Sequence, residues 1–148
     1  MKNVKKVSKK TSVITNLVID NNSVPSRVQN QIDKVQLFLT DDLLKSDWKK
    51  VRTDKTHFTK GFGYIVSEFL YHKLNRMGYK NLVPMVGKDD NGLTHWFLFH
   101  KPTSTIIDGT SKQHTKLVLK KIYKSSRGCG FLTKEPSKRT QVLTSRVK

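Results

Sequence analysis

The chain has 148 residues, 35% hydrophobic and 27% charged, which suits one domain with a modest core plus tails. Its 29 Lys and Arg stand against 11 Asp and Glu, a net charge of +18 that favours nucleic acid, an anionic membrane surface or an acidic protein as partner. A single cysteine, Cys129, excludes an intramolecular disulfide framework and fits a reducing compartment, and no stretch approaches the roughly 18 apolar residues that span a bilayer.

Taken in chain order, residues 1–22 form a Lys-, Ser- and Thr-rich tail expected to be flexible, with five lysines before residue 11. The apolar run that follows is short and interrupted by polar residues, so a cleaved signal peptide is not expected. Residues 23–148 are expected to form a single α+β domain. Val28, Ile32, Val35 and Leu39 recur at helical spacing and predict a helix over 26–39. Asp41 to Trp48 suggests a short second helix with Thr40 or Asp41 as N-cap, and residues 52–60 read as a polar loop.

Val66, Phe69, Leu70, Leu74 and Met77 form the apolar stripe of a central helix from Tyr64, and Gly78 is its expected C-cap. A strand over 81–87, the turn Asp89-Asp90-Asn91-Gly92, a strand over 93–100 and another over 105–108 predict a small antiparallel sheet. Residues 114–124 are expected to be helical, with Val118, Leu119, Ile122 and Tyr123 inward. Pro136 is expected in the first turn of a last helix running to Val147. The architecture is therefore α+β, a central helix on a small antiparallel sheet with additional N- and C-terminal helices.

Three positions have the pattern of a thiol-hydrolase triad. A catalytic thiol belongs at a helix N-terminus, where open amides and the helix dipole favour the thiolate. A strand histidine would take its proton and a carboxylate on the next strand would orient the ring. His95 and Asp108 lie on consecutive predicted strands, but the helix start holds Gly63, which has no side chain. On spacing alone the plainer readings are favoured, His95 as a half-buried strand histidine and Asp108 as the turn residue of Asp-Gly-Thr.

A resemblance shifts that balance. GFGYIVSEFLYH (61–72), THWFL (94–98), IDGT (107–110), RGCGFLT (127–133) and PSKR (136–139) together resemble small phage-encoded proteins whose core is similar to the transglutaminase and papain-like superfamily. In that pattern a Gly-His-Cys-Tyr helix start precedes Thr-His-Trp-Phe-Leu and an Asp-Pro-Thr or Asp-Leu-Thr segment. The likeness covers roughly the last ninety residues and none of the first forty. It implies a papain/transglutaminase-like fold with His95 as base and Asp108 as orienting acid. It also places the missing nucleophile at Gly63 and the missing preceding histidine at Phe62, so it implies a pseudoenzyme. Cys129 falls in a separate motif, and its Gly-Cys-Gly setting favours a packed turn with an inert thiol.

The charge is concentrated at the flanks: net +7 over residues 1–60, +1 over 61–111 and +10 over 112–148. Lys116, Lys120 and Lys124 align at spacing four and, with Lys121, Arg127, Lys138 and Arg139, could track a phosphate backbone. Glu135 is the only acid after Asp108, so i,i+4 salt bridges do not explain this run. No cofactor motif and no metal-ligand spacing is found among Cys129 and the five histidines. The leading expectation is a phage-encoded, non-catalytic basic binding protein engaging nucleic acid without base readout, or an acidic host or virion protein. It would act in the host cytoplasm or within the virion, with no membrane association. The alternatives are a hydrolase or transferase using His95 and Asp108 with water or Cys129, and a structural virion component.

Overall fold

The computed structural model describes residues 24–53 and 55–147; the N-terminal lysines and Lys148 lie outside them. Among the described residues it is an α+β arrangement of five α-helices and a four-stranded antiparallel sheet. Helices α1 (Ser26–Gln36), α2 (Ser46–Val51) and α3 (Gly63–Arg76) come first. Strands β1 (Leu82–Lys88), β2 (Thr94–His100) and β3 (Thr105–Ile107) follow, then α4 (Lys116–Ser125), β4 (Arg127–Gly128) and α5 (Lys138–Arg146). The sheet order is β3-β2-β1-β4.

Helix α3 is the centre of the main core. Ile65, Val66, Phe69, Leu70 and Leu74 are buried on it, each removal from water being worth about 2 kcal/mol. Gly78 ends the helix at φ +102, and the Tyr79 amide donates to the Leu74 carbonyl at 2.9 Å, so the helix closes with a left-handed cap. The alternation of β2 then divides the sheet. Leu98, with Leu82 and Ile107, packs with α3 in the main core, while Phe97 and Phe99 join Met85, Ile122 and Tyr123 beneath α4. Gly87 allows that second layer, because a Cβ there would stand 2.5 Å from the Ile122 carbonyl oxygen.

The hairpin forms at the expected turn. Asp89 Oδ1 accepts from the amides of Asn91 and Leu93, both at 2.9 Å, and Gly92 takes φ +76. Four expectations need correction. Helix α1 stops at Gln36, short of Leu39, and the Asp41–Leu43 segment is a 3-10 turn preceding α2 at Ser46. Helix α4 begins at Lys116, where Thr115 caps it by accepting from the Val118 amide at 3.2 Å. Pro136 lies outside α5, whose N-cap is Ser137. The short strand β4, paired through Met85↔Gly128 and Val86↔Arg127, was not expected at all.

Helix α5 opens with Lys138 and Arg139, cations at the end where the helix dipole disfavours them. The compensating carboxylate comes from α3. Glu68, fully buried, accepts at Oε1 from the Ser137 amide (3.1 Å), the Ser137 hydroxyl (2.8 Å) and the Thr140 hydroxyl (2.6 Å). The PSKR segment is thereby fixed against the helix that begins at Gly63.

Candidate functional site

His95 and Asp108 meet. His95 is on β2, Asp108 follows β3, and antiparallel pairing of those strands (Leu98↔Ile107) sets the two residues on the same side of the sheet. The His95 Nε2 to Asp108 Oδ2 distance is 2.7 Å, with both side chains almost wholly buried. The Tyr123 hydroxyl donates to the same oxygen at 2.7 Å, and the Thr110 amide donates to Asp108 Oδ1 at 3.0 Å. Asp108 is thus both the turn residue and the histidine's partner.

Burial pushes the Asp108 carboxyl up. The charge of His95, the hydrogen bonds from His95 and Tyr123 and the Thr110 amide overcome it and hold the group below its ordinary 3.8. Burial, then the adjacent carboxylate, drive the Tyr123 hydroxyl well above its usual range, so it stays a donor. An ionised Asp108 takes its hydrogen from Nε2, which leaves Nδ1 on the far side of the ring. Gln113 Nε2 stands 3.5 Å from that nitrogen. The ring also stacks on Phe97 and meets the edge of His114 at 5.0 Å between centroids.

Gly63 is the first residue of α3, and it lines one pocket together with His95, Trp96 and Gln113. The pocket holds about 230 Å³, and its other walls include Lys45, Trp48, Tyr64 and Arg139. A Cβ at Gly63 would stand 3.3 Å from the Trp96 amide nitrogen and 3.6 Å from Thr110 Oγ1. Gly63 and His95 therefore line one pocket, and Asp108 is joined to it through the histidine.

Cys129 does not complete it. Its amide bonds the Pro84 carbonyl at 2.9 Å beside β4, with β1 between it and the histidine strand. Two strand spacings and three residues of offset from Gly87, the partner of His95, separate the two by about 14 Å. The Cys129 thiol donates to the Gly130 carbonyl at 3.7 Å. Phe131, two residues further on, is stacked on Trp96 and set edge-on to Tyr64 and Tyr71. The Tyr64 hydroxyl accepts from the Leu132 amide at 2.9 Å, which draws the RGCGFLT segment over the pocket.

Lys116, Lys120, Lys121 and Lys124 are exposed on α4, and Arg127 is exposed on β4. Among these only Lys121 has an acid within reach, Asp90 at 4.0 Å, and two groups so exposed gain little from it. Lys138 is exposed, but Arg139 departs from the expected surface run. It turns inward, donating to the Leu43 carbonyl at 3.2 Å, and forms a wall of the pocket. Sequence reasoning also missed Gln113 and Tyr123 as members of the site. Tyr123 carried a usable signal, since a buried tyrosine hydroxyl demands a partner. Gln113 lies in a short 3-10 turn with no periodic pattern to aim it.

No known protein family, curated protein or solved structure matches the chain. Among the described residues no group of three or more His, Cys, Asp or Glu is placed to hold a metal ion, and no helix is long and apolar enough to cross a membrane.

Proposed function

We propose that the protein is a non-catalytic, basic binding protein on a papain/transglutaminase-like scaffold, of the phage-encoded kind its motifs resemble, and that it grips nucleic acid through phosphates. The observation that carries this reading is Gly63: the position that shares a pocket with an oriented His95–Asp108 pair has no side chain to attack with. Covalent acyl transfer through that position is chemically excluded. The His–Asp pair still has a structural task, because it ties β2, the exit of β3 and α4 to one another through a single carboxylate.

The basic periphery is then the working surface. Lys116, Lys120 and Lys124 advance about 6 Å per step along α4, and no acid among the described residues forms an ion pair with them. Such a row raises the energy of the free protein by self-repulsion and is relieved by a polyanion. Phosphate contacts of this sort carry no base preference and release counterions, so affinity falls steeply with salt. Titration of a fluorescent oligonucleotide at several salt concentrations tests the reading. Binding that weakens linearly on a log–log plot supports it, whereas absent or salt-independent binding overturns it and leaves an acidic host or virion protein as the partner.

A further inference from the structure

The pocket that Gly63 and His95 share is walled by aromatic rings. Trp48, Tyr64 and Trp96 line it, and all three are half-buried. Trp96 is stacked on Phe131 with ring centroids 5.7 Å apart and meets the edge of Tyr64 at 4.9 Å. The Tyr64 hydroxyl is engaged with the Leu132 amide at 2.9 Å, which fixes its ring in turn. A flat ligand entering here meets rings already held in place, so little side-chain freedom is lost on binding.

Charge and size narrow the choice of ligand. No Asp or Glu lines the pocket, whereas Lys45 and Arg139 do. Lys45 is exposed, and Arg139 is in no ion pair among the described residues, donating instead to the Leu43 carbonyl. The volume of about 230 Å³ lies below the roughly 300–1,000 Å³ of sites for drug-sized molecules. It equals about seven waters' share of liquid, which is room for one planar ring system and not for a base pair. The Gln113 carboxamide on the wall stands 3.5 Å from His95 Nδ1, too far for a strong bond. It presents both a donor and an acceptor, so it suits the edge of any base. An aromatic cavity with cations on its wall is complementary to an aromatic group flanked by negative charges, which describes a nucleotide within a strand.

We propose that this pocket captures one unpaired base of a single-stranded nucleic acid, stacked against the tryptophans with its flanking phosphates toward Lys45 and Arg139. The proposal rests on the reading of the protein as a nucleic-acid binder and adds a preference to it. The lysine row of α4 holds the phosphates of any strand, and the pocket selects strands whose bases are free. A base in a duplex reaches the pocket only by leaving its partner and its stack, at a cost that single strands escape. Base–aromatic stacking tolerates every sequence, so the pocket adds affinity without base readout.

Both tryptophans of the chain line the pocket, so intrinsic fluorescence reports on it directly. The full chain is titrated with oligothymidylate, with an abasic strand of the same length, and with a duplex. Tryptophan fluorescence is followed throughout, and anisotropy of labelled strands gives the affinities. Oligothymidylate should quench saturably and bind roughly 10-fold more tightly than the abasic strand, which carries the same phosphates. The abasic strand and the duplex should bind without comparable quenching. Trp48→Leu should lose most of the preference for bases while still binding the abasic strand. The Lys116→Gln/Lys120→Gln/Lys124→Gln variant should weaken every ligand and keep the preference. If Trp48→Leu unfolds, the comparison of strands on the intact protein decides the matter.

Equal affinity for oligothymidylate and the abasic strand overturns the pocket proposal and leaves the phosphate-binding reading standing. Duplex quenching as strong as that of oligothymidylate does the same. Binding of none of the three overturns that reading and the pocket proposal with it. Quenching by a glutamate-rich peptide where oligothymidylate has no effect assigns the pocket to an acidic protein and overturns the proposal.

Discussion

Restoring a nucleophile at Gly63 tests whether the scaffold retains the geometry of a thiol triad. The substitution Gly63→Cys, made with Cys129→Ser so that one thiol remains, meets the Trp96 amide nitrogen at 3.3 Å and its carbonyl oxygen at 3.5 Å. Those contacts require a few tenths of an ångström of relaxation. Replacing glycine at the first helical position by cysteine, itself a poor helix former, offsets them by only about a few tenths of a kcal/mol, so stability should change by less than about 1 kcal/mol. A free thiol titrates near ~8.5 and is only about 0.1% thiolate at pH 5.5. If the α3 terminus and His95 bring the introduced thiol to about 6.5, about 10% is thiolate at that pH.

The lower basicity reduces intrinsic nucleophilicity by about 8-fold, leaving a net advantage of roughly 10-fold in exchange with a small neutral disulfide. The order inverts at about pH 7.7, where the reference thiol is roughly one-eighth ionised, and above about pH 9 the less basic thiol is slower by nearly the full ~8-fold. The assay is the exchange rate from pH 5 to 10, with a simple thiol as reference. His95→Ala in the same background should move the profile back toward the reference. A profile indistinguishable from the free thiol, with His95 present, refutes the assignment of Gly63 to the nucleophile position.

Glu68→Ala leaves the Ser137 amide and two hydroxyls without their acceptor, so urea denaturation should show a loss of about 3 kcal/mol. Glu68→Gln keeps an acceptor oxygen and should lose about 1 kcal/mol; equal stability of all three proteins would contradict the assigned role. Acid should destabilise in two stages. Burial, with Lys112 acting on His57 and His95 acting on His114, holds both imidazoles below their ordinary 6.5. The unfolded chain therefore binds more protons there, and stability falls as pH drops through 6.5. Asp108, held below 3.8, contributes stability that is present above that value and lost as pH falls through its lower folded value. Urea midpoints at pH 8, 5.5 and 3 should decline in that order, and a midpoint that rises between pH 8 and 5.5 would show the histidine burial to be misjudged.

Where local chemistry determines structure, the sequence was readable. The stripe of α3, its glycine cap, the Asp89 turn and the inward face of α4 all follow from period and turn residues over a few positions. The adjacency of the strands that carry His95 and Asp108 was legible for the same reason, since their connection is short, but spacing alone favoured plainer roles for both side chains and only the resemblance paired them. What escaped depends on distant chain segments. Arg139 turns inward to a carbonyl 96 residues away, and Glu68 caps a helix about 70 residues further on. Two residues of β4 carry no strand signal and are recruited by the edge of β1. The pocket escaped in part: Gly63 and His95 were expected together, but the walls that Trp48 of α2 and Arg139 of α5 add were not.

The claim that this chain works by binding phosphates rather than by catalysis is tested most directly by the salt dependence of oligonucleotide affinity. It should be measured for the intact protein and for the Lys116→Gln/Lys120→Gln/Lys124→Gln variant. Each phosphate contact contributes about 0.9 to the slope of log affinity against log salt on duplex DNA. Removing the α4 row should therefore flatten the slope by about 2.7 and weaken binding at low salt. An unchanged slope, or no binding by either protein at low salt, would contradict the account.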